Sequence, residues 1–315
     1  VGWTSPGQRQ ALTTIVREDN DPDDTIYWNN ARHAATLAGA AGFVSCDSLS
    51  SNRGHSKTHV VNSINAGTGF VMYRGTAGGN WRDPFDVDPR QTTNTAALPV
   101  IVSTTCETMS LNAYDSMAGS GWVKAGWDGV PHGAVAFFGN TYSASNVARQ
   151  RGAVARGFFT GVFSDNRYYL GDVMLRAKEQ LFAEYPSDDE DYRAFTLFGD
   201  PGLRLWNGVP MDIAVTHDAQ VLPEPQELVV TVRRDGEVFE GALVCASMDS
   251  TVYAWDYTDA TGSVMLNVSP VDTGAMRVVV TGRSCLPYDG EIGVVNQVGL
   301  ASELRTPVWT GARLA

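Results

Sequence analysis

Phe70-Val71-Met72-Tyr73-Arg74-Gly75-Thr76-Ala77-Gly78-Gly79-Asn80-Trp81-Arg82-Asp83-Pro84 reads as a buried strand cut short by a glycine-rich turn. A second apolar run, Leu98–Met109, also ends in small polar residues, with one cysteine at position 106. If the two runs are neighbouring parallel strands, Thr76 and Cys106 lie beside each other at the carboxyl ends. Open α/β sheets place their chemistry there.

Outward from this pair, short apolar runs alternate with helix-like segments. Strands are expected at Ala11–Arg17, Gly42–Asp47, Gly67–Arg74, Leu98–Thr104 and Gly133–Gly139. Helices are expected at Thr25–Ala41, Lys57–Ala66, Asn146–Phe163 and Tyr168–Tyr185. This alternation is the signature of βαβ units, and right-handed crossovers make the sheet mostly parallel with helices on both faces. An acidic turn, Ser187–Asp191, leads to a closing segment, Phe195–Trp206. Beyond Asn207-Gly208 the texture changes to seven runs rich in Val, Thr and Tyr, from Met211–Thr216 to Glu291–Val295, at the spacing of an immunoglobulin-like sandwich. The expected organisation is an α/β domain over 1–207, an all-β sandwich over 208–296 and an extension over 297–315.

The 315 residues carry a net charge of −12, with no basic run, which argues against a nucleic-acid or anionic-membrane surface. No apolar stretch of about 18 residues could span a bilayer. Four cysteines are too sparse for a disulfide framework, and none forms a Cys-x-x-Cys pair. Cys245 and Cys285 could pair, although a buried thiol is the favoured reading of Cys245. The chain starts at Val1 without a signal-peptide pattern and reads as a processed or trimmed piece, with a longer protein upstream.

Cysteine catalysis needs a thiolate and a base within hydrogen-bond reach. Cys106 is placed at a strand-to-helix turn, where helix-start amides can stabilise a thiolate or an oxyanion. Packing as a small apolar side chain is the alternative reading. Gly75–Asn80 lacks the lysine and spacing of a phosphate loop. The carboxylates of Asp21, Asp23 and Asp24, and the run Asp188–Asp191, suit a calcium ion by donor type but match no EF-hand spacing, so solvated acidic turns are the favoured reading. Trp81, Trp122, Trp127 and Tyr142 either line a peptide cleft or form half-buried lids.

Three motifs carry a family resemblance. Tyr73-Arg74-Gly75-Thr76-Ala77-Gly78, followed by Trp81 and Asp83-Pro84, resembles the strand end of the gingipain family of cysteine peptidases, where Tyr-x-Gly-His-Gly bears the catalytic histidine. Val102-Ser103-Thr104-Thr105-Cys106-Glu107-Thr108 is similar to that family's nucleophile segment. Leu197-Phe198-Gly199-Asp200-Pro201-Gly202-Leu203 resembles its Gly-Asp-Pro-Ser-Leu closing motif. The resemblance covers about residues 11–296. It implies a caspase-like α/β fold, a His/Cys dyad for peptide hydrolysis, secretion to the medium or cell surface, an immunoglobulin-like tail and structural calcium. It also implies a third, acidic residue at Glu18 or Asp19 and an amino-terminal subdomain upstream of Val1.

Thr76 stands where the family carries its histidine, and a hydroxyl cannot accept a proton usefully near neutral pH. No histidine is well placed to substitute. His132 precedes the fifth strand and belongs at the opposite sheet edge; His217 falls in the all-β part; His33 lies inside the first helix. His55 and His59 begin the second helix on the correct edge, but over a face rather than the crevice. The expected function is a gingipain-like domain with weak or no proteolysis, binding a peptide or protein or joining an assembly. The alternative is an active endopeptidase using Cys106 with a substitute base.

Overall fold

The computed structural model describes residues 10–95, 97–110 and 119–297, with the backbone alone at 127 and 128. The extension beyond 297 and the Trp127 side chain lie outside the described residues. The chain divides into two compact units, the break falling between Val209 and Pro210.

In the first unit the elements run β1 (Ala11–Val16), α1 (Asp23–Ala40), β2 (Ser45–Ser50), α2 (Lys57–Asn65), β3 (Phe70–Arg74), the small pair β4 (Ala77–Gly78) and β5 (Asn80–Trp81), then β6 (Val100–Ser103) and α3 (Gly119–Lys124). They continue as β7 (Ala136–Asn140), α4 (Ala148–Phe163), α5 (Leu170–Glu184), α6 (Asp189–Ala194) and β8 (Phe195–Phe198). Six strands form one sheet in the order β2-β1-β3-β6-β7-β8. All neighbours are parallel except β7 and β8.

β1, β3, β6 and β7 are buried along their whole length, as parallel strands covered on both faces must be. One face packs Phe70, Met72, Val100, Val102 and Phe138 against the apolar stripes of α1, α4 and α5. The other packs Val71, Tyr73, Ile101 and Phe137 against Val60 and Ile64 of α2, Trp122 of α3 and the loop residue Phe85. Thr13, buried in β1, is satisfied by side-chain bonds to Ser63 and Thr68 (3.1 Å for the latter), so this polar residue stabilises an interior strand instead of breaking it.

Two boundaries differ from the sequence reading. The second strand lies at Ser45–Ser50 rather than Gly42–Asp47. Phe43 is apolar because it packs on Phe70 and Phe163, whereas pairing with β1 begins at Ser45, and an edge strand needs little apolar content. The run Ser187–Asp191 is a solvated acidic turn only in part, since Ser187, Asp189 and Glu190 are exposed and Asp191 is not. Asp188 caps the short helix α6 through the Asp191 N–H (3.1 Å), and α6 turns Asp191 inward to 1% exposure.

The second unit contains β9 (Ile213–Thr216), β10 (Gln220–Val221), β11 (Gln226–Arg234), β12 (Glu237–Val238), β13 (Leu243–Met248), β14 (Val252–Tyr257), β15 (Ser263–Val268), β16 (Gly274–Thr281) and β17 (Tyr288–Val294). They make a five-stranded sheet, β10-β17-β16-β13-β14, and a second sheet in which β11 pairs with β9, β12 and β15. The seven expected runs become seven strands, and two-residue strands add β10 and β12. Burial alternates residue by residue in β11, β13 and β15, and the inward residues of both sheets form one apolar core. All four cysteines are free. Cys285 is the buried thiol of this unit; Cys245 is half-buried and stands opposite Trp255. The reading that favoured Cys245 as the buried one is corrected, because the outward phase of β13 carries Leu243, Cys245 and Ser247.

Candidate active site

β3 and β6 run parallel with Tyr73 opposite Ser103, so Thr76 and Cys106 each lie three residues beyond a matched pair. Past Arg74 the chain turns at Gly75, with φ +145°, and a Cβ there would stand 2.7 Å from the Arg17 Cβ and 2.8 Å from its carbonyl oxygen. Only glycine lets the ends of β1 and β3 approach this closely. The Thr105 hydroxyl donates to the Gly75 carbonyl, tying the Cys106 turn to the Thr76 turn. Tyr73 donates to the Thr76 carbonyl (2.8 Å) and stacks on Trp81, whose indole N–H donates to Ser103 (3.0 Å).

The two acidic candidates part company. Thr76 donates its hydroxyl proton to Asp19, which Arg17 also binds. Partial burial pushes the Asp19 carboxyl up, but the bonds from Thr76 and Arg17 outweigh it and hold the group below its ordinary value. Glu18 faces away from the site. Partial burial pushes it up too, and bonds from Ser50 (2.7 Å), Ser51 (2.8 Å), the Asn52 N–H (3.3 Å) and the Trp28 indole (3.0 Å) bring it below its ordinary value. Glu18 thus fastens the ends of β1 and β2 and the start of α1 together.

Cys106 is half-buried. Its sulfur lies 2.8 Å from Nη1 of Arg151, and the thiol reaches the Ala144 carbonyl at 3.6 Å. Residues 106–109 form a turn, with Glu107 in the left-handed region at φ +53°, so no helix start within the described residues supplies amides to the sulfur. Arg151 projects from the first turn of α4 and is 2% exposed. Its Nε and Nη2 grip Asp191 at 3.0–3.1 Å, and Nη2 also donates to the Tyr142 carbonyl (3.1 Å). Asp191 accepts in addition from Asn140 (2.8 Å). Burial alone would pull the Arg151 guanidinium down, but the Asp191 carboxylate and the Cys106 sulfur beside it hold it above its ordinary value.

No histidine reaches this sulfur. His55 accepts from the Ser50 N–H (3.0 Å), and His59 accepts from the Ser56 N–H (3.2 Å) in the capping box of α2. His33 bonds Thr160 (3.0 Å) across α1 and α4, His132 lies 3.5 Å from Thr92, and His217 bonds Tyr288 (2.8 Å).

The aromatic candidates also separate. Trp81 and Trp122 are 5% and 2% exposed and belong to the core beneath the turn, so they do not line a cleft. Tyr142 is exposed. At α1, Asp24 accepts from the N–H groups of Asp19 (3.1 Å) and Asn20 (2.9 Å), and Asp21 accepts from that of Asp23 (2.8 Å). These carboxylates close a turn. Among the described residues no group of three or more His, Cys, Asp or Glu is placed to hold a metal ion.

Sequence reading missed Arg151, Asp191 and Arg74. Two of them carry a signal in the chain. Arg151 falls on the buried stripe of α4 with Ala148, Ala155, Phe158 and Val162, and Arg74 ends a wholly apolar strand. A charge in such a position is buried with a purpose or a partner.

The model of Peptidase family C25 matches residues 6–206. Gingipain R2 of Porphyromonas gingivalis is 24% identical over 272 residues, covering 84% of this chain and 36% of that protein. Gingipain R1 of the same organism is 24% identical over 242 residues, covering 72% of this chain and 24% of that protein. The chain therefore spans about a third or less of the length of the curated relatives it matches. Among solved structures, the Arg-specific cysteine proteinase gingipain R superposes with a TM-score of 0.75 at 20% identity, covering 93% of this chain and 68% of that one. A complex of gingipain pro- and mature domains gives 0.74 at 18% identity, covering 93% and 70%. These likenesses show a shared fold, the caspase-like sheet followed by the two-sheet sandwich. On the match of its first two hundred residues, the chain belongs to peptidase family C25, the gingipain-like cysteine peptidases.

Proposed function

We propose that this protein is a gingipain-like cysteine-peptidase domain with weak or no proteolysis, serving as a secreted or surface module that binds a peptide or protein ligand or packs with an upstream subdomain. On this reading Thr76 occupies the position of the family's histidine, Cys106 that of its nucleophile and Asp19 that of its acidic third member. One observation carries it: among the described residues, the partners of the Cys106 sulfur are a guanidinium and a carbonyl oxygen. Neither can take up the thiol proton at neutral pH and hand it to a leaving amine. Losing a general acid–base group costs about 10²–10⁴ in rate, and more where two groups act as a unit.

The test is turnover of a fluorogenic peptide library by the protein and by Cys106→Ala. Equal, background rates are expected. Turnover at a rate usual for an enzyme, about 1 per second or more, that vanishes in Cys106→Ala overturns the proposal and makes the protein an endopeptidase with a base other than histidine. No helix among the described residues is long and apolar enough to cross a membrane.

A further inference from the structure

Two guanidinium groups converge on the turn Thr104–Cys106, and one carboxylate answers them. Arg151 is paired with Asp191. Arg74, 1% exposed, has no carboxylate in contact among the described residues. Its Nη1 donates to the carbonyl and the hydroxyl of Thr104, its Nη2 donates to the Ala148 carbonyl (2.7 Å), and its guanidinium lies 4.7 Å from the centre of the Tyr27 ring. Its Nε has no hydrogen-bond partner. Burial, helped by repulsion from Arg151 and Arg156 and opposed by Tyr27 and Asp23, pulls this guanidinium down to about 10. Around one turn, two buried guanidinium groups face one buried carboxylate, with the partly exposed Asp23 and Asp188 acting on them from farther off. A buried charge without a partner is costly, and an anion arriving from solvent relieves that cost.

The arrangement around Arg151 points the same way. A guanidinium carries five N–H donors. Nε and both N–H groups of Nη2 serve Asp191 and the Tyr142 carbonyl, while Nη1 has a single acceptor, the sulfur of the half-buried Cys106. Its second N–H has no acceptor among the described residues. On the opposite side of the crevice, Asp19 is already matched by Arg17 and Thr76, so its charge does not answer the two arginines.

We infer that the Cys106 turn is an anion-recognition site, and that the peptide ligand presents a carboxylate to Arg151, from an acidic side chain or from its own C-terminus. Asp191 and Asn140 fix the plane of the guanidinium, Cys106 lies beside it, and Arg74 adds positive field from behind. The inference rests on the proposed function only in taking the ligand to be a peptide. The anion site itself stands whether turnover is weak or strong, so the two experiments fail independently.

Alkylation of Cys106 reads the local charge. Rates with iodoacetate and iodoacetamide are measured by mass spectrometry of the Cys106 peptide and compared with those of the uncharged thiol N-acetylcysteine amide. A positive cleft concentrates an anionic reagent, so the iodoacetate-to-iodoacetamide ratio at Cys106 is expected to exceed that of N-acetylcysteine amide by about tenfold or more. Arg151→Met is expected to abolish the excess, and Arg151→Lys to keep part of it. Because Arg151→Met leaves Asp191 buried and unpaired, the unmodified protein carries the test should that variant fail to fold. A ratio equal to or below that of N-acetylcysteine amide overturns the anion site.

Protection against iodoacetamide then separates the two carboxylate sources. An acetylated tripeptide amide ending in Asp protects if a side chain is read, and an acetylated trialanine with a free C-terminus protects if the terminus is read. Equal protection by a tripeptide amide ending in Lys, or protection by none of the three, overturns the carboxylate-bearing peptide.

Discussion

Replacing Asp191 by Asn changes almost no volume but removes the carboxylate that, among the described residues, pairs with a guanidinium 2% exposed. The Asn amide keeps one accepting oxygen in place of two and no charge, and its own N–H groups would face the N–H groups of Arg151 or Asn140. Breaking a buried, hydrogen-bonded ion pair on one side costs about 3–5 kcal/mol, because the remaining charge stays in the interior uncompensated. With a urea dependence of about 1–3 kcal/mol per molar, the midpoint of the α/β unit should fall by about 1 M or more. The assay is urea unfolding of the full chain followed by the fluorescence of Trp81 and Trp122, both buried in that unit. The decisive comparison is the double variant Arg151→Met/Asp191→Leu. Replacing both partners with apolar groups removes the unpaired charge, so the double variant is expected to be more stable than Asp191→Asn, which is a large coupling between the two positions. A loss below about 1 kcal/mol in Asp191→Asn would falsify the assignment of a dry, tightly coupled pair. So would a double variant no more stable than the single one.

Thr76→His should raise peptide turnover at least tenfold over the unmodified protein, since Asp19 already bonds the side chain at that position and could orient an imidazole; no gain in the fluorogenic assay means that the missing base is not the only obstacle. Glu18→Gln tests the acid side of the stability profile. The Glu18 carboxyl lies below its ordinary value of 4.5, so its contribution is fully present above that pH and is lost as pH falls through the lower folded value. Thermal melts of the Gln variant should therefore fall less steeply between neutral pH and pH 3, and identical slopes would count against the clamp. Gly75→Ala, at φ +145° with Arg17 atoms 2.7–2.8 Å from the new Cβ, should cost about 1–3 kcal/mol in the same urea assay, and a neutral result would mean that the two strand ends are not closely opposed.

Much of the fold was readable because period and length decide it. Strands buried on both faces announce themselves as unbroken apolar runs, as Phe70–Arg74 does, and the sandwich strands by alternation, as in Leu243–Met248. The edge strand Ser45–Ser50 was misplaced because its pairing is set by β1 and not by its own apolar content. Part of the site was readable as well: Thr76 and Cys106 follow from strand register alone. The Arg151–Asp191 pair was not, since its members are 40 residues apart and Asp191 hides within an acidic run of which only one phase of a short helix points inward. Local composition describes that run correctly as acidic and says nothing about which carboxylate leaves water.

The neighbours Glu18 and Asp19 divide their labour. Glu18 spends its oxygens on Ser50, Ser51, Asn52 and Trp28, gathering three elements, while Asp19 looks into the crevice at Thr76. Mechanical duty thus rests on Glu18, beside the residue that faces Thr76. Substitution at 76 is expected to leave the Glu18 joint between the strand ends intact, because none of the four partners of Glu18 is shared with Thr76.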